Sequence, residues 1–293
     1  MDGRGRRRAR AALAPAAPPN VAMDDRRAAR AAAKRRRARR GAATATVSTV
    51  LAVVLVVWLV GSTPGWPDVR ETFFSWEAFR TSFPDVLSGF WLDVKLFVIV
   101  ELCVLVLGLV VALVRTTRSP ALFPLRAFAA AYVDVFRGIP VILLVYLVGF
   151  GVPALAFEGA PSDPVLLGGI ALTVSYTAYV AEVYRAGIDS VHASQRQAAL
   201  AVGLTEGQAL RFVILPQAVR RVVPPLLNDF ISLQKDVALV AILGPLEAFR
   251  VAQIEAASTF NYTPLLAAAL LYLCVTIPMA RLVDVVQRRS RAA

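Results

Sequence analysis

The sequence is poor in the residues on which catalytic and metal chemistry usually depend. Its 293 residues include two cysteines (Cys103 and Cys274), one histidine (His192) and three lysines (Lys34, Lys95 and Lys235). This inventory excludes a multi-histidine zinc site and a disulfide framework. No lysine follows a glycine, so the phosphate-binding pattern G-x-x-x-x-G-K-[ST] is missing, and the nucleophile pattern G-x-S-x-G is missing too. We therefore expect no catalytic site, metal or cofactor on this chain.

Net charge is also small outside residues 1–42. Residues 1–42 hold 14 of the Lys and Arg residues against three Asp, and so carry eleven of the twelve net positive charges. The composition of this basic arm, rich in Ala, Arg and Pro, predicts disorder. Because an apolar segment follows directly, the arm indicates a cytoplasmic anchor of membrane topology, and we expect no nucleic-acid partner.

Long apolar runs dominate the rest of the chain, which is 57% hydrophobic with a mean hydropathy of +0.61. Runs of about 17–21 residues match the length that a helix needs to cross roughly 30 Å of hydrocarbon. Helices satisfy their own backbone groups in lipid. The sequence therefore predicts an all-α integral membrane protein, with a short interfacial helix over 84–95. Six spans are predicted, near residues 45–61, 96–114, 139–157, 165–182, 223–243 and 264–284.

Arginines in the short connections predict which side of the membrane each connection faces. They cluster after span two, after span four and in the C-terminal tail, on the same side as the basic arm. Because positive charge favours the cytoplasm, we expect both termini and these connections to be cytoplasmic. The longest cytoplasmic connection, about 183–222, contains a polar stretch that is too hydrophilic to span the membrane.

That stretch, residues 194–218, reads SQRQAALAVGLTEGQALRFVILPQA. Ser194 and Thr205 are candidate N-caps, and Gly203 suits a left-handed C-cap. The pattern predicts two short helices, the second ending near Leu215, with small alanines that permit close approach by another backbone. A knob projecting from the membrane and an amphipathic hairpin lying on the lipid both fit this pattern.

Polar residues inside two spans are candidates for a translocation path. Lys235 and Asp236 lie in span five, where a charge costs about 2.5–3.5 kcal/mol and usually faces a bundle interior or a water path. Asn228 lies two turns before Lys235, on the same helix face. These residues favour a polar lining, with a structural pair to a neighbouring helix as the alternative. Glu101 in span two is either a path residue or a packing contact.

Glu182 and Arg185 form a second candidate pair at the cytoplasmic end of span four. Three residues apart on a helix, they are close enough to interact. We interpret them as a structural or gating latch, with direct substrate contact as the alternative.

The polar stretch resembles the coupling loop of permeases from ATP-binding-cassette (ABC) importers, whose pattern is E-A-A-x3-G-x9-I-x-L-P. Two positions depart from that pattern, since Gln197 replaces Glu and Val213 replaces Ile. The matching residues are Ala198, Ala199, Gly203, Leu215 and Pro216.

Three further segments resemble the polar amino-acid uptake branch, which includes the histidine, glutamine and glutamate permeases. Residues 136–140 (FRGIP) are similar to F-R-G-T-P, and residues 179–185 (YVAEVYR) to Y-x-x-E-x-x-R. Residues 228–239 (NDFISLQKDVAL) are similar to N-x-F-I-x-L-x-K-D-T-S-L, although V-A-L stands for T-S-L. The resemblance covers residues 88–286 and implies a type I, MetI-like permease core with residues 194–218 as its coupling loop. Residues 1–42 and the first span with its extracytoplasmic loop (43–87) lie outside it.

The resemblance also implies a membrane, partners and a substrate. The membrane would be the bacterial inner membrane, and the mechanism alternating access. The partners would be a cytoplasmic ATPase dimer holding ATP and Mg²⁺, a second permease subunit that is a copy or a homologue, and an extracytoplasmic solute-binding protein. The substrate would be a polar amino acid. Glutamate or a similar acidic amino acid is favoured because Lys235 could provide the countercharge, ahead of glutamine or a basic amino acid.

Two other classes of protein remain open at this point. An ion-coupled secondary transporter or channel would use Lys235, Asp236 and Glu101 for ion coupling. A structural or receptor-like membrane subunit would transport nothing. The transporter or channel would not need the 194–218 stretch, and the structural subunit would show no substrate-dependent ATP hydrolysis in any complex.

Overall fold

The computed structural model describes residues 41–117 and 119–292, with side chains described up to residue 288. The basic arm 1–42 therefore lies outside the described residues except for its last two, and its predicted disorder stays a prediction. All regular elements in the described ranges are helical, as the sequence predicts. The chain divides into two compact units, Met1–Pro67 and Asp68–Ala293, and the contacts below all lie within the second.

The described residues form eleven α-helices, joined in places by short stretches of other helix types. The links are 3₁₀ turns at Pro120–Leu122 and Val237–Leu243, and a π turn at Leu210–Ile214. The α-helices are α1 (Gly41–Gly61), α2 (Trp66–Phe73), α3 (Trp76–Thr116), α4 (Phe123–Gly138), α5 (Val141–Ala154), α6 (Pro164–Asp189), α7 (Ala193–Ala201), α8 (Glu206–Ala209), α9 (Leu215–Asp236), α10 (Ala248–Thr259) and α11 (Thr263–Ala292).

Two of the six predicted spans each form one arm of a bent pair of helices in the structure. Among the described residues, α1, α3, α6 and α11 are long and apolar enough to cross a membrane without interruption. The span predicted at 139–157 is the 14-residue helix α5, bent by 106° from α4. The span predicted at 223–243 is α9 with its 3₁₀ extension, bent by 53° from α10. Counting each bent pair as one span gives six.

Local backbone chemistry explains both breaks. Ile139, which precedes Pro140, is extended at φ −93° and ψ 127°, because a residue before proline is disfavoured in the α region. Gly244 has φ +107°, a left-handed conformation that glycine adopts without steric cost. The sequence marks both positions with Gly and Pro, at edges of the spans predicted at 139–157 and 223–243.

Helix α3 runs without interruption through the segment 84–95, which is predicted to be an interfacial helix leading into span two. That segment is the continuous first half of α3, which has 41 residues and therefore a length of about 60 Å. Ser75 caps the helix by accepting a hydrogen bond from the backbone amide of Ala78 at 3.3 Å. Pro84 lies inside the helix without ending it. The segment is helical and leads into span two, as predicted, and its position at the membrane interface stays a prediction.

The main core lies where α3, α5, α6 and α9 with its 3₁₀ extension meet. Val104, Val145, Leu172 and Leu233 are fully buried there. Small residues bring the helices together: a Cβ on Gly108 would lie 2.7 Å from Val180 Cγ1. Such close packing is the main attraction between helices in lipid, where apolar burial alone gives little driving force.

A second core joins α3 to the break before α10 and to α11. Val86, Phe90 and Ala252 pack there, and Asp93 is 3% exposed. Asp93 Oδ2 accepts hydrogen bonds from the Tyr272 hydroxyl at 2.8 Å and from the Ala248 amide at 3.3 Å. One buried carboxylate on α3 thus holds both α11 and the start of α10.

A substitution at Gly89 tests the contact between α3 and the break before α10. An added Cβ there would lie 2.7 Å from the Glu247 carbonyl carbon and 2.8 Å from the Ala248 nitrogen, and both are backbone atoms. We expect Gly89→Ala to destabilise the protein by about 1–3 kcal/mol, since overpacking at backbone forces the helices apart. Thermal unfolding in detergent measures the change. Gly151→Ala is the matched control, because nothing lies within 4 Å of the added Cβ, and equal melting temperatures for the two variants would contradict the prediction.

Candidate functional site

The 194–218 stretch folds as an elbow of two helices joined at Gly203. Gly203 has φ +90°. Its amide donates to the Leu200 carbonyl at 3.0 Å, and the Leu204 amide donates to the Ala199 carbonyl at 3.1 Å. These two bonds form a Schellman motif, which satisfies the last carbonyls of α7 and reverses the chain. The predicted left-handed C-cap is confirmed.

The second half of the elbow begins as predicted but does not end there. Thr205 Oγ1 accepts from the Gln208 amide at 3.3 Å and Gln208 Oε1 accepts from the Thr205 amide at 2.9 Å, a complete capping box. The predicted end near Leu215 is wrong, because a π turn carries α8 directly into α9. The prediction of Ser194 as the first N-cap is also wrong. His192 occupies that position, and its Nδ1 lies 3.2 Å from the Ser194 amide.

An ion pair ties the two halves of the elbow together. The Arg196 guanidinium on α7 donates from Nε and Nη2 to Glu206 Oε2 on α8, at 2.8 and 2.5 Å. Gln197 and Ala198 lie on the exposed surface of α7, whereas Ala199 is buried. Large apolar side chains are also exposed here, with Val202 79% and Phe212 61% exposed. The elbow therefore presents an apolar surface on a braced frame, and such surfaces mark contact sites for a partner or for lipid.

The elbow is seated on the ends of α6 and α9. Val191, Ile214 and Ala218 form a small buried cluster beneath it. Arg221 on α9 donates to the Ser190 carbonyl at the end of α6, and its Nη1 lies 3.1 Å from Ser190 Oγ. A Cβ on Gly187 would collide with Val222, so α6 and α9 are in close contact at this level. Movement of the elbow therefore displaces both helices.

Glu182 lies at the centre of an ion-pair network just above the elbow. It accepts from Arg115 of α3 at 2.7 Å and pairs with Arg185 on its own helix. Arg137 of α4 is 4.0 Å away, and Arg185 also bonds Asp189 at 2.6 Å. The predicted contact between Glu182 and Arg185 exists, and the sequence missed that Arg115 and Arg137 join it. The network links the ends of α3, α4 and α6.

The polar residues of α9 divide between two faces. Asn228 and Lys235 share an exposed face, as their spacing of two turns predicts. Asp236 turns inward, where it accepts a hydrogen bond from the Tyr176 hydroxyl of α6 at 2.8 Å. Asp229 turns inward too, and its Oδ2 has no hydrogen-bond partner among the described residues.

Glu101 on α3 is 8% exposed and interacts electrostatically with Asp229. The structure thus brings Glu101 and α9 together at an acidic interior, whereas Lys235 lies on the outer face and forms no ion pair among the described residues. Asp229 was missed by the sequence interpretation, although its seven-residue spacing to Asp236 repeats that of Asn228 to Lys235. Within the described ranges, no group of three His, Cys, Asp or Glu residues could hold a metal ion.

Spanning helices around a polar interior, with a braced elbow seated on two of them, define a helical membrane permease. Comparison with known proteins identifies the family. Residues 105–292 match the model of the binding-protein-dependent transport system inner membrane component. The chain belongs to this family, which confirms the resemblance to type I ABC importer permeases.

Individual relatives agree with this assignment. The chain is 32% identical over 211 residues to the arginine transport system permease protein ArtQ of Bacillus subtilis, covering 71% of this chain and 94% of that protein. It is 34% identical over 209 residues to the probable glutamine ABC transporter permease protein GlnM of Bacillus subtilis, covering 71% and 94%. The crystal structure of an amino acid ABC transporter with histidines matches with a TM-score of 0.66 and 30% identity, covering 73% of this chain and 98% of that one.

We expect that breaking the Glu182 ion-pair network lowers the stability of the protein. Glu182→Gln leaves the Arg115 side chain, which is 14% exposed, without its carboxylate. We expect a loss of about 1–3 kcal/mol of unfolding free energy, because a largely buried charge loses its partner. A double-mutant cycle with Arg115→Gln, read by chemical denaturation, measures the coupling.

Asp189→Asn is the matched control for this cycle. It removes a carboxylate from the same network where the side chain is 56% exposed, and surface pairs of that kind contribute about 0–1 kcal/mol. A coupling energy near zero between Arg115 and Glu182 would show that the network contributes nothing to stability.

Proposed function

We propose that this chain is the permease subunit of an ABC importer for amino acids. It forms the translocation path together with a second permease subunit, and its elbow couples that path to a separate ATPase that binds ATP and Mg²⁺. Family membership supports the importer. The observation that carries the coupling role is the braced elbow with an exposed apolar surface, seated on both α6 and α9.

The elbow can transmit movement because it is stiff and because its seat is shared. The Schellman turn, the capping box and the pair between Arg196 and Glu206 hold its two halves at a fixed angle. When ATP binding closes the ATPase dimer, a docked elbow moves as one body and tilts α6 and α9 together. Coupling requires that the closed ATPase dimer binds one membrane conformation more tightly than the other. Gln197, Ala198, Ala199 and Gly203 form the first half of this proposed contact, and Leu215 and Pro216 continue it into α9.

The proposed orientation puts the elbow and both termini in the cytoplasm of a bacterial cell, with the chain in the inner membrane. The solute-binding protein would then dock on the opposite side. Arg115, Arg126, Arg185 and Arg196 lie near the elbow end of the helices, which supports this orientation through the preference of positive charge for the cytoplasm. The exposed polar face of Asn228 and Lys235 supports a path formed between two permease subunits, because a lone chain leaves that face uncovered.

The proposed substrate class is polar amino acids, the class named for the relatives. An amino acid carries both an ammonium and a carboxylate group. Glu101, Asp229 and Asp236 would attract the ammonium group, and Lys235 the carboxylate. Glutamate remains the favoured substrate on the strength of Lys235. The acidic interior equally suits a basic amino acid, so uptake of glutamate, glutamine and arginine should be compared directly.

Gly203 tests the coupling role. Proline fixes φ near −65°, which is incompatible with the +90° found here, so Gly203→Pro should break the elbow. We expect loss of uptake and of substrate-stimulated ATP hydrolysis in proteoliposomes holding the complete importer, with membrane insertion unchanged.

Ala193→Pro is the matched control for that variant. Ala193 is the first residue of α7, and His192 before it is extended at φ −56° and ψ 136°, so proline fits there. Normal uptake by the Gly203→Pro variant would contradict the proposed coupling role. Uptake that persists without any ATPase would instead favour the ion-coupled carrier.

Lys235 tests the translocation path. Lys235→Met keeps the length of the side chain and removes its charge, so we expect uptake of glutamate to fall about tenfold or more, and uptake of arginine to fall less. Lys95→Met is the control, because Lys95 is exposed on α3, where its Nζ lies 5.8 Å from the Trp91 ring. Uptake kinetics of Lys235→Met that equal those of the wild type would remove Lys235 from the path.

A further inference from the structure

A cavity of about 1120 Å³ lies beside the elbow and belongs to neither the proposed path nor the elbow's exposed apolar surface. It is bounded by the end of α3, the link to α4, the end of α6 and the underside of the elbow. Its charged lining residues are Arg115, Arg126, Arg185, Arg196, Asp189 and Glu206. Four arginines thus face two carboxylates in this lining.

Three of these arginines are already matched by carboxylates. Arg115 and Arg185 bond Glu182, Arg185 also bonds Asp189, and Arg196 bonds Glu206. Arg126 is different. Its Nη1 donates to the Thr117 carbonyl at 2.9 Å, and no carboxylate lies within ion-pair distance of it among the described residues. A guanidinium has five N–H donors in a planar fork, so Arg126 retains donors for an anion in the cavity.

The helix that carries Arg126 also presents an unusual apolar surface. Four large side chains surround Arg126 in sequence over residues 122–128. Their exposed fractions are 42% for Leu122, 59% for Phe123, 48% for Leu125 and 72% for Phe128. An aromatic and aliphatic surface beside a basic cavity, near the end of a membrane-spanning helix, matches the two parts of a phospholipid. A free phosphate would use the arginines but would gain nothing from the apolar residues.

We infer that this cavity binds the phosphate headgroup of an anionic phospholipid. Arg126 donates to the phosphate oxygens, and the acyl chains lie along Phe123 and Phe128. The bound headgroup neutralises the unmatched charge and fills the space between α3, α6 and the elbow. The lipid thereby becomes part of the seat on which the elbow moves. Binding itself needs only the membrane fold, whatever the chain transports.

The experiment counts lipids that stay bound to the purified full-length chain. The protein is reconstituted in nanodiscs of equal parts phosphatidylglycerol and phosphatidylcholine, released into detergent, and examined by native mass spectrometry. We expect the wild type to retain phosphatidylglycerol over phosphatidylcholine. Arg126→Gln should retain about tenfold less phosphatidylglycerol, because a charged hydrogen bond of ordinary strength is lost. Arg126→Lys, which keeps the charge and loses the fork, should fall between the two.

Arg281→Gln is the matched control. Arg281 is on α11, is 79% exposed and pairs only loosely with Asp284 at 3.8 Å, so its loss should leave phosphatidylglycerol retention unchanged. Inorganic phosphate and glycerol phosphate, added at millimolar concentration, should not displace the lipid. Equal retention of the two lipids by the wild type overturns the inference, even if Arg126→Gln does not fold. Displacement by free phosphate overturns the lipid assignment in favour of a soluble anion. Uptake assays are not involved, so failure here leaves the proposed importer untouched.

Discussion

A helix break buried inside the bundle must be supplied with hydrogen-bond partners by the protein, because neither water nor lipid offers them there. Helix α10 begins at such a break. Glu247 caps it by accepting from the Phe249 and Arg250 amides at 2.8 and 2.6 Å, and Asp93 takes the Ala248 amide. Two carboxylates buried at one helix start are costly unless neighbours stabilise them. Tyr272 provides that stabilisation by bonding Asp93, and so joins α3, α10 and α11 at a single point.

The same constraint explains why one side of the first half of α3 is packed against α10 and α11. The Ala248 amide at this break needs a hydrogen-bond acceptor from another helix, and α3 brings Asp93 to it because Gly89 allows the two backbones to approach closely. At the other end of α3, Arg115 reaches Glu182. One continuous helix therefore fixes the broken helix at one end and the end of α6 at the other. The elbow is seated on α6, so its position depends on α3 although the two are far apart in sequence.

The sequence predicts the features that depend on residues close together in the chain. Four spans are recognisable as uninterrupted apolar runs. The capping preferences of Gly203 and Thr205 predict the turn of the elbow. What it could not predict rests on contacts between distant residues. Arg115 and Glu182 are 67 positions apart, and Asp93 and Tyr272 are 179 apart. Pro140 and Gly244 lie at edges of the spans predicted at 139–157 and 223–243 and permit a break there, but only packing decides that the helix bends. The functional roles of the candidate residues remain proposals.

Helix α9 joins the elbow and the proposed path in one element, which simplifies the coupling that an importer needs. Arg221 clamps its first half to the end of α6, and Lys235 lies 14 residues further on, about 21 Å along the axis. Pro224 and Pro225 lie between them and remove two backbone donors. A tilt imposed at Arg221 therefore reaches Lys235 through a helix that can bend at its middle. In the proposed importer, the exposed face of Asn228 and Lys235 would then change its angle, while the bond from Tyr176 on α6 would hold Asp236 in place. This difference in movement between the outer face and the inner face of α9 would open and close the path.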